Sequence, residues 1–394
     1  MISNKLLLPE IQKYIDANLE SPISKLALQK NPFPEIEWKH ILNQIEAKAK
    51  AKEKLPTWFA NNAIIYPVKI SLEQTSSEIT AKYKSKIVDG NTLLDASGGF
   101  GVDDYYFSKT IKHVYHCEMN EELSKIVSHN FHSLNVDNCS CLVGNSTEII
   151  EKLNQKLDWI YIDPSRRNET KGKVFMLKDC SPNVPKLVAF YLKYTNNILI
   201  KTAPILDLSA GLNELKYVKE IHIVAVNNEV KELLWVLEKN FLNQPIIKAV
   251  NLTEKKVDLF TFNFNTTNDS LYGLPEKYLY EPNASIMKSG GFNEVCNQFQ
   301  LKKLHQHSHL YTSNELIPFP GRVFEIQDIL NYSKTALKIK LENKKSNITI
   351  RNFPDTVENI RKKWKIKDGG ELYSFFTTDL ENNKIVVLCK KINT

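Results

Sequence analysis

Residues 93–103, Leu-Leu-Asp-Ala-Ser-Gly-Gly-Phe-Gly-Val-Asp, decide the fold class of this chain. The two leucines predict the end of a buried strand that closes at Asp95, and a helix is predicted to follow the last glycine. Gly98, Gly99 and Gly101 lie in a tight turn, which needs positive φ and must let a ligand approach the backbone without a Cβ in the way. A strand, a glycine turn and a helix in this order indicate an α/β fold with a ligand site at the turn.

An acidic residue follows the turn at the spacing of a ribose-binding acid. Glu118 lies 23 residues after Asp95, at the end of a second apolar run from Val114 to Cys117. An acid at the tip of the next strand can accept hydrogen bonds from the hydroxyls of a ribose. The turn and Glu118 together predict a site for a cofactor that contains a nucleoside. An ordinary strand, turn and helix without a ligand is the alternative.

The residues after the turn narrow the choice of cofactor. A dinucleotide fold expects a third glycine where Asp104 stands, and no Gly-Lys-Ser/Thr follows to make a P-loop. Asp103 and Asp104 suit a ligand with an amino group, such as the methionine part of S-adenosylmethionine. The pattern resembles motif I of class I methyltransferases, with Ser97 where many members have the first glycine. The predicted cofactor-binding residues are Asp95, Ser97, Gly98, Gly99, Gly101, Asp103, Glu118, Met119, Asn145 and Ser146.

A second group of functional residues lies in residues 158–167, Asp-Trp-Ile-Tyr-Ile-Asp-Pro-Ser-Arg-Arg. The apolar strand leads directly into Asp163, whose carboxylate is predicted at the carboxyl edge of the sheet, where open α/β folds bind ligands. The segment resembles motif IV of class I methyltransferases, and Asp163 is the predicted catalytic residue. Arg166 and Arg167 are predicted to act with it, as forked donors to a phosphate, a carboxylate or a purine edge. Pairing with a local acid such as Glu169 is the alternative for both arginines.

Two residues near this segment have open roles. Lys201 ends the next predicted strand and is assigned to substrate binding, with an ion pair to Asp207 as the alternative. Cys180 lies 17 residues past Asp163, near enough to test for covalent catalysis, although a packed and unreactive thiol is the simpler expectation. Methyl transfer to nitrogen or oxygen needs no nucleophile from the protein, because alignment of donor and acceptor supplies much of the rate.

The composition is that of a globular protein with room for two or three domains: 394 residues, 42% hydrophobic and 25% charged. No apolar run approaches the roughly 20 residues of a membrane span, and the N-terminus lacks the pattern of a signal peptide. The six scattered cysteines are expected to stay reduced, so a cytoplasmic location is expected. The net charge of +7 permits a polyanionic partner without requiring one.

The chain is predicted to divide into a helical N-terminal domain, a methyltransferase domain and two small C-terminal segments, which the resemblance described below identifies as a ferredoxin-like module and a THUMP-like domain. The predicted bounds are 1–65, 66–268, 271–320 and 321–394. Alternation of apolar runs with amphipathic segments predicts a doubly wound sheet, with 257–264 as an antiparallel edge strand. A helix-like stretch is predicted at 327–334.

His305, His307 and His309 could share one face of a strand, but no fourth ligand is evident and no metal is expected.

The names of the last two segments come from a family resemblance, which rests on four motifs. The motifs are residues 95–103, residues 163–167, Tyr-Glu-Pro-Asn-Ala-Ser-Ile-Met-Lys at 280–288 and Ile-Arg-Asn-Phe-Pro at 350–354. With them the chain resembles a bacterial family of class I methyltransferases that carry a ferredoxin-like insert and a C-terminal THUMP-like domain. The resemblance covers nearly everything after residue 60. It implies a Rossmann-like sheet, S-adenosylmethionine as cofactor and RNA as substrate, because THUMP domains are associated with RNA modification.

The last segment contains the most basic and aromatic stretch of the chain. Arg351, Lys363 and Trp364 are predicted to bind substrate, since cations can contact phosphates and aromatic rings can stack on unpaired bases. A solvated helix face accounts for the same pattern.

The leading hypothesis is an S-adenosylmethionine-dependent methyltransferase that acts on a base nitrogen in tRNA or rRNA by direct in-line transfer, with no membrane or metal partner. One alternative is a small-molecule methyltransferase for an acidic substrate. The other is a catalytically silent RNA-binding protein on a methyltransferase fold, against which the intact Asp95, Glu118 and Asp163 count.

Overall fold

The computed structural model describes residues 4–67, 69–166, 176–266 and 269–392. These residues form two compact units, and each unit is described by itself. The first consists of Met1–Lys219 and Leu233–Asn243, and the second of Glu220–Glu232 and Gln244–Thr394.

Both units combine helices with strands. The helices are α1 (Pro9–Ala17), α2 (Ile23–Leu26), α3 (Trp38–Lys54), α4 (Pro56–Phe59), α5 (Lys69–Gln74), α6 (Glu78–Ser85), α7 (Val102–Phe107), α8 (Glu121–Ser133), α9 (Ser146–Leu153), α10 (Val184–Tyr191), α11 (Leu208–Glu214), α12 (Ala284–Ser289), α13 (Phe292–Phe299), α14 (Lys334–Lys340) and α15 (Val357–Trp364). The strands are β1 (Thr92–Asp95), β2 (His113–Glu118), β3 (Cys139–Val143), β4 (Leu157–Ile162), β5 (Ser165–Arg166), β6 (Cys180–Ser181), β7 (Thr195–Thr202), β8 (Val218–Val226), β9 (Glu229–Glu238), β10 (Ile246–Leu252), β11 (Val257–Asn263), β12 (Tyr278–Pro282), β13 (Lys302–Lys303), β14 (Tyr311–Ser313), β15 (Gly321–Asn331), β16 (Asn347–Arg351), β17 (Leu372–Thr378) and β18 (Lys384–Ile392).

The N-terminal helices of the first unit share a hydrophobic core with the segment that follows the glycine turn. The longest of them, α3, consists largely of strong helix formers such as Ala, Lys and Glu. Ala47, Ala51 and Trp58 are buried in one cluster with Phe100 and Val102. The helical segment therefore belongs to the same compact unit as the predicted cofactor site.

A pair of buried hydrogen bonds fastens the end of the helical segment to α8. The backbone N–H of Ile65 donates to Oδ1 of Asn130 over 2.9 Å, and Nδ2 of Asn130 donates to the backbone oxygen of Ile65, also over 2.9 Å. Asn61 adds a bond from its Nδ2 to the backbone oxygen of Ser133 at 2.8 Å. One asparagine thus satisfies both backbone groups of a residue that has no ladder partner.

The sheet of the first unit has the strand order β9-β7-β4-β1-β2-β3. The five strands from β7 to β3 are parallel, and β9 is antiparallel to β7. The order reverses between β4 and β1, and open α/β sheets bind ligands outside the carboxyl ends of their strands at such a point. The glycine turn follows β1 at this edge. The predicted Rossmann-like sheet is confirmed.

The predicted antiparallel edge strand at 257–264 is confirmed as β11, which ends the strand order and pairs antiparallel with β10, where Leu252 lies opposite Val257. The strand beside β7 is β9, which the sequence analysis missed along with β10. β9 follows β8 through Asn227 and Asn228, which both have positive φ, as a tight hairpin turn requires. A hairpin of this kind needs no crossover helix, so the alternation used to find strands does not reveal it.

The second unit contains β8, β10 and β11, followed by a sheet of order β13-β14-β12-β15-β18-β17-β16. The prediction of a helix at 327–334 is wrong, because β15 extends to Asn331 and pairs with β18. The ladder shifts register between Ile326 and Asp328. This bulge breaks the alternation of the strand, and the broken pattern was misread as a helical period. None of the helices in the described ranges has both the length and the apolar character needed to cross a bilayer.

Replacing Asn130 with Ala should lower the free energy of unfolding of the first unit by about 2 to 4 kcal/mol, because both buried backbone groups of Ile65 lose their partners. Hydrogen exchange at the Ile65 amide should accelerate in parallel. Asn120→Ala is the matched control, since it removes only the exposed N-cap bond of α8 and should cost about 1 kcal/mol. Equal losses in the two variants, measured by urea unfolding, would contradict this account of Asn130.

Candidate functional site

The glycine turn is held by acceptors from β2. The N–H of Gly98 donates to the backbone oxygen of Cys117 at 2.9 Å, and the N–H of Gly99 donates to Oε2 of Glu118 at 3.0 Å. The other carboxylate oxygen of Glu118 accepts from the N–H of Asn120 at 2.8 Å. Glu118 therefore fixes the turn as well as standing at the tip where a ribose acid is expected.

Two of the glycines are required by space. A Cβ on Gly98 would lie 2.3 Å from Cε1 of the buried His116, and a Cβ on Gly101 would lie 2.7 Å from the side chains of Phe131 and Val127. Gly101 also has φ of +73°, at the start of α7. Gly99 differs, because its Cβ would meet nothing closer than the backbone oxygen of Ser97 at 3.6 Å. The turn is therefore packed tightly on one side, and its backbone is open at Gly99.

Ser97 connects the turn to Asp163. Its N–H and its hydroxyl both donate to Oδ1 of Asp95, at 2.7 and 2.9 Å. The same hydroxyl oxygen accepts from the N–H of Asp163 at 2.7 Å. Burial raises the pKa of Asp95 well above its usual value, and the nearby carboxylate of Asp104 raises it further. The strand tips of β1 and β4 are thus joined through one hydroxyl, which explains a serine where many methyltransferases have glycine.

Asp103 and Asp104 are occupied inside the unit. Asp103 is only 9% exposed, forms an ion pair with Lys84 at 3.1 Å and accepts hydrogen bonds from Ser76 at 2.9 Å and Tyr161 at 2.8 Å. Asp104 is fully buried, with Oδ2 at 2.6 Å from Nδ1 of His116. The expectation that these acids face the amino group of a ligand is not supported by this geometry. Instead they stabilise the interior beneath the turn.

The remaining predicted cofactor residues lie at the tips of β2 and β3. Met119 follows Glu118 and is 75% exposed. Asn145 is the N-cap of α9, and its Oδ1 accepts from the N–H and the hydroxyl of Thr147. Its exposed amide nitrogen is the part left to donate to a ligand. Ser146, the first residue of α9, is buried.

Asp163 and Lys201 form an ion pair at the same edge of the sheet. Nζ of Lys201 lies 2.5 Å from Oδ2 of Asp163, and both side chains are largely shielded from water. Lys201 lies on β7, directly beside β4, so neighbouring parallel strands bring the two groups together. Asp207, the alternative partner of Lys201, caps α11 through Oδ1, which accepts from the N–H of Ala210.

The segment after Asp163 is described only in part. Arg166 pairs with Cys180 in the short ladder of β5 and β6, while its side chain and all of Arg167 lie outside the described residues. The N–H groups of Leu177 and Lys178 both donate to the carboxylate of Glu214, which fixes the returning chain. Cys180 is fully buried. A buried thiol cannot meet a substrate, and the expectation of an unreactive residue fits this position.

The predicted substrate residues of the second unit have different surroundings. Trp364 is 6% exposed and packs with Leu337 and Ile360, so the prediction that it stacks on a base is wrong. Trp364 lies on the inner face of α15, so its ring packs in the core and is not available to stack on a base. Lys363 is exposed and lies near the Tyr332 ring. Arg351 is paired with Glu281, a contact that the sequence analysis missed.

The histidines of the second unit do not form a metal site. His305 lies between the amides of Asn352 and Asn382, and His309 stacks on Phe292 with ring centroids 3.6 Å apart. The described ranges contain no group of three or more residues arranged to hold a metal ion.

The sheet order and the glycine turn define a class I methyltransferase fold in the first unit. In the second unit, residues 278–320 match a ferredoxin-like domain and residues 321–391 match a THUMP domain-like family. The crystal structure of a protein from Porphyromonas gingivalis W83, provisionally described as a methyltransferase, is 30% identical, covers 100% of both chains and has a TM-score of 0.88. The chain belongs to the methyltransferase family of this protein, and the resemblance carried by the four motifs is confirmed.

Two further comparisons cover less of the chain. An RNA methyltransferase of Clostridium acetobutylicum, described as uncharacterized, is 28% identical over 160 residues, which are 37% of this chain and 35% of that protein. The chain spans about a third of the length of this curated relative. TrmK of M. capricolum, solved with S-adenosylhomocysteine, is 14% identical, covers 41% of this chain and 68% of that chain, and has a TM-score of 0.32, too low to argue from.

Gly98→Ala should destabilise the first unit by about 2 kcal/mol or more, because the new Cβ overlaps the buried His116 ring. Gly99→Ala is the matched control within the same turn. It introduces no clash and should cost about 1 kcal/mol, the strain of a side chain at its φ of +57°. Thermal and urea unfolding of the two variants give the order, and a loss at Gly99 equal to or larger than that at Gly98 would refute the packing argument.

Proposed function

We propose that this protein is an S-adenosylmethionine-dependent methyltransferase that modifies a base nitrogen in RNA by direct in-line transfer. The observation that carries the proposal is the hydroxyl of Ser97, which joins the glycine turn to Asp163. A cofactor seated on the turn and an acceptor beside Asp163 would then be held by one continuous set of hydrogen bonds. Such fixed positioning is what a transfer without a protein nucleophile requires.

The residues at the strand tips fit this cofactor. The open backbone at Gly99 leaves room for a ligand against the turn. Each oxygen of Glu118 accepts one backbone N–H, and a carboxylate has further lone pairs that can accept the two hydroxyls of a ribose. The amide nitrogen of Asn145 and the exposed side chain of Met119 are suited to an adenine edge and face. Asp95, Gly98, Gly101 and Ser146 would support these contacts from below.

In the proposed transfer, few chemical steps are left to the protein's own residues. The bound cofactor supplies a methyl group on a good leaving group. Asp163 would orient the acceptor and take its proton. Lys201 fixes the direction of that carboxylate and offsets its charge through the ion pair. Arg166 and Arg167 are proposed to grip an oxyanion of the substrate, as forked donors do.

RNA is the proposed substrate for two reasons. The THUMP domain-like match and the RNA methyltransferase relative both favour it. The net charge of +7 is compatible with a polyanion. Arg351 and the exposed Lys363 are proposed contacts, and the cytoplasm is the proposed location. The four-part division of the chain at 1–65, 66–268, 271–320 and 321–394 stays a prediction.

Replacing Asp163 with Ala should reduce methyl transfer at least about 100-fold while S-adenosylmethionine still binds, because the carboxylate acts on the acceptor. Calorimetric titration measures binding, and transfer of labelled methyl groups to total RNA measures activity. Asp207→Ala is the control, since it removes an acid from the loop after the next strand, where Oδ1 of Asp207 caps α11. No calorimetric binding by the unaltered protein would overturn the cofactor; full activity of Asp163→Ala would overturn the role of that residue.

A strain that lacks this protein should lose one methylated nucleoside from its tRNA or rRNA, as measured by mass spectrometry of digested RNA. Expression of the unaltered chain should restore the nucleoside, and the Asp163→Ala variant should not. An unchanged nucleoside profile, with S-adenosylmethionine binding intact, would favour a small acidic substrate instead of RNA.

A further inference from the structure

Arginine is rare in this chain, and its positions are informative. Five of the 52 basic residues are arginine: Arg166, Arg167, Arg322, Arg351 and Arg361. Lysine supplies charge equally well, whereas arginine supplies a planar fork of donors that matches carboxylate and phosphate groups. Two of the five arginines meet at one buried acid in the second unit.

Glu281 is that acid, and it holds both guanidinium groups. It lies on β12 directly opposite Arg322 on β15, and its side chain is buried. Nε of Arg322 donates to Oε2 at 2.6 Å, and the same oxygen contacts a terminal nitrogen of that arginine. Arg351, at the end of β16, donates to Oε1 at 2.9 Å. The carboxylate therefore fixes two forks in place, each by a different oxygen.

The two arginines retain donors that Glu281 does not use. Nε of Arg351 is buried, and none of the described residues accepts its hydrogen. Buried donors without a partner are rare in proteins, and an unplaced ion or water is a usual reason. About a third of each arginine side chain remains exposed, 38% for Arg322 and 33% for Arg351, so a ligand can reach them. The pair is thus fixed and open to solvent.

The charge around the pair is positive. One arginine would neutralise Glu281, so the second is in surplus. Lys303 is buried nearby, with Nζ 5.5 Å from the centre of the Phe292 ring on which His309 stacks. Burial, together with the positive charges of Lys303 and Arg351, lowers the pKa of His309 to about 4. The histidine therefore stays neutral, and the surplus of cations has no anion among these groups except Glu281.

We propose that Arg322 and Arg351 form a receptor for a phosphate group, with Glu281 as the residue that positions both. A tetrahedral phosphate has enough oxygens to accept from both guanidinium forks at once, Nε of Arg351 included. Inorganic phosphate and the phosphodiester of an RNA strand share this chemistry. The site does not depend on methyl transfer and holds whether or not the proposed function is correct.

The rarity of arginine makes a direct test possible. A nitrogen–proton correlation spectrum of the full chain contains five Nε–H signals, each assigned by replacing one arginine with lysine. Titration with inorganic phosphate should shift the signals of Arg322 and Arg351 and saturate. Arg361 is the internal control, because it is paired with Asp368 elsewhere in the same unit and its signal should not move. Signals of Arg322 and Arg351 that stay fixed, or that move no more than that of Arg361, would overturn the proposal.

Arginine-to-lysine variants distinguish the contribution of the forked guanidinium group from that of its positive charge. Arg351→Lys keeps a cation beside Glu281 but removes Nε and the second terminal nitrogen, and it should weaken phosphate binding about tenfold or more. Arg361→Lys is the matched control and should bind phosphate as the unaltered chain does. Unchanged affinity in Arg351→Lys would overturn the role of the fork. If this variant does not fold, the titration of the unaltered chain still decides the question.

A second titration distinguishes the source of the phosphate. A short single-stranded RNA without terminal phosphates should shift the same two Nε signals if the site takes a backbone phosphodiester. Shifts with inorganic phosphate alone would assign the site to a free phosphate group. Either result supports a phosphate receptor, because both include the shift with inorganic phosphate, and the absence of that shift overturns the proposal.

Discussion

The structure of the first unit depends on how the backbone N–H groups of the glycine turn find acceptors. A turn without side chains cannot satisfy its own donors, and buried donors must be paired. β2 provides the acceptors, through the backbone oxygen of Cys117 for Gly98 and through the carboxylate of Glu118 for Gly99. The residue expected to hold a ribose thus also fixes the turn. Ser97 extends the same set of bonds to Asp163. Three strand tips are consequently held in one geometry before any ligand binds.

The buried charges beneath the turn explain why the segment around α6 belongs to this unit. Burying a carboxylate is costly unless it is paired, and Asp103 finds its cation in Lys84 and a donor in Ser76. Both partners precede β1 in the chain. Asp104 is paired with His116, where burial raises the pKa of the acid and lowers that of the histidine, so the pair tends toward its neutral form. Without the preceding segment, an unpaired charge would lie directly below the glycine turn.

Local patterns in the sequence were enough to predict which residues lie at the strand tips. They were not enough to predict contacts between elements that are far apart in the chain. β1, Glu118 and Asp163 were predicted because a glycine turn, an apolar run and an acid follow one another within a few residues. Lys201 was placed at the right edge because parallel neighbours end together. Trp364 was misassigned because its stretch is basic on average, while its position on α15 faces the core. For a related reason, the sequence did not predict that Glu281 contacts Arg322 and Arg351. The three residues come from strands far apart in the chain, and only the ladder between β12 and β15 and the reach of Arg351 bring them together.

Lysine and arginine have different physical roles in this chain. Lysines make up most of the positive charge and give long-range attraction to a polyanion, which does not depend on orientation. Of the five arginines, Arg322 and Arg351 are oriented by the carboxylate of Glu281, and Arg166 and Arg167 follow Asp163 in the sequence. A fork held by a buried carboxylate loses less conformational freedom on binding than a lysine on a surface helix. Selectivity for a phosphate-containing ligand should therefore lie with the arginines, while lysines and arginines that contact phosphate both contribute to the salt dependence of binding.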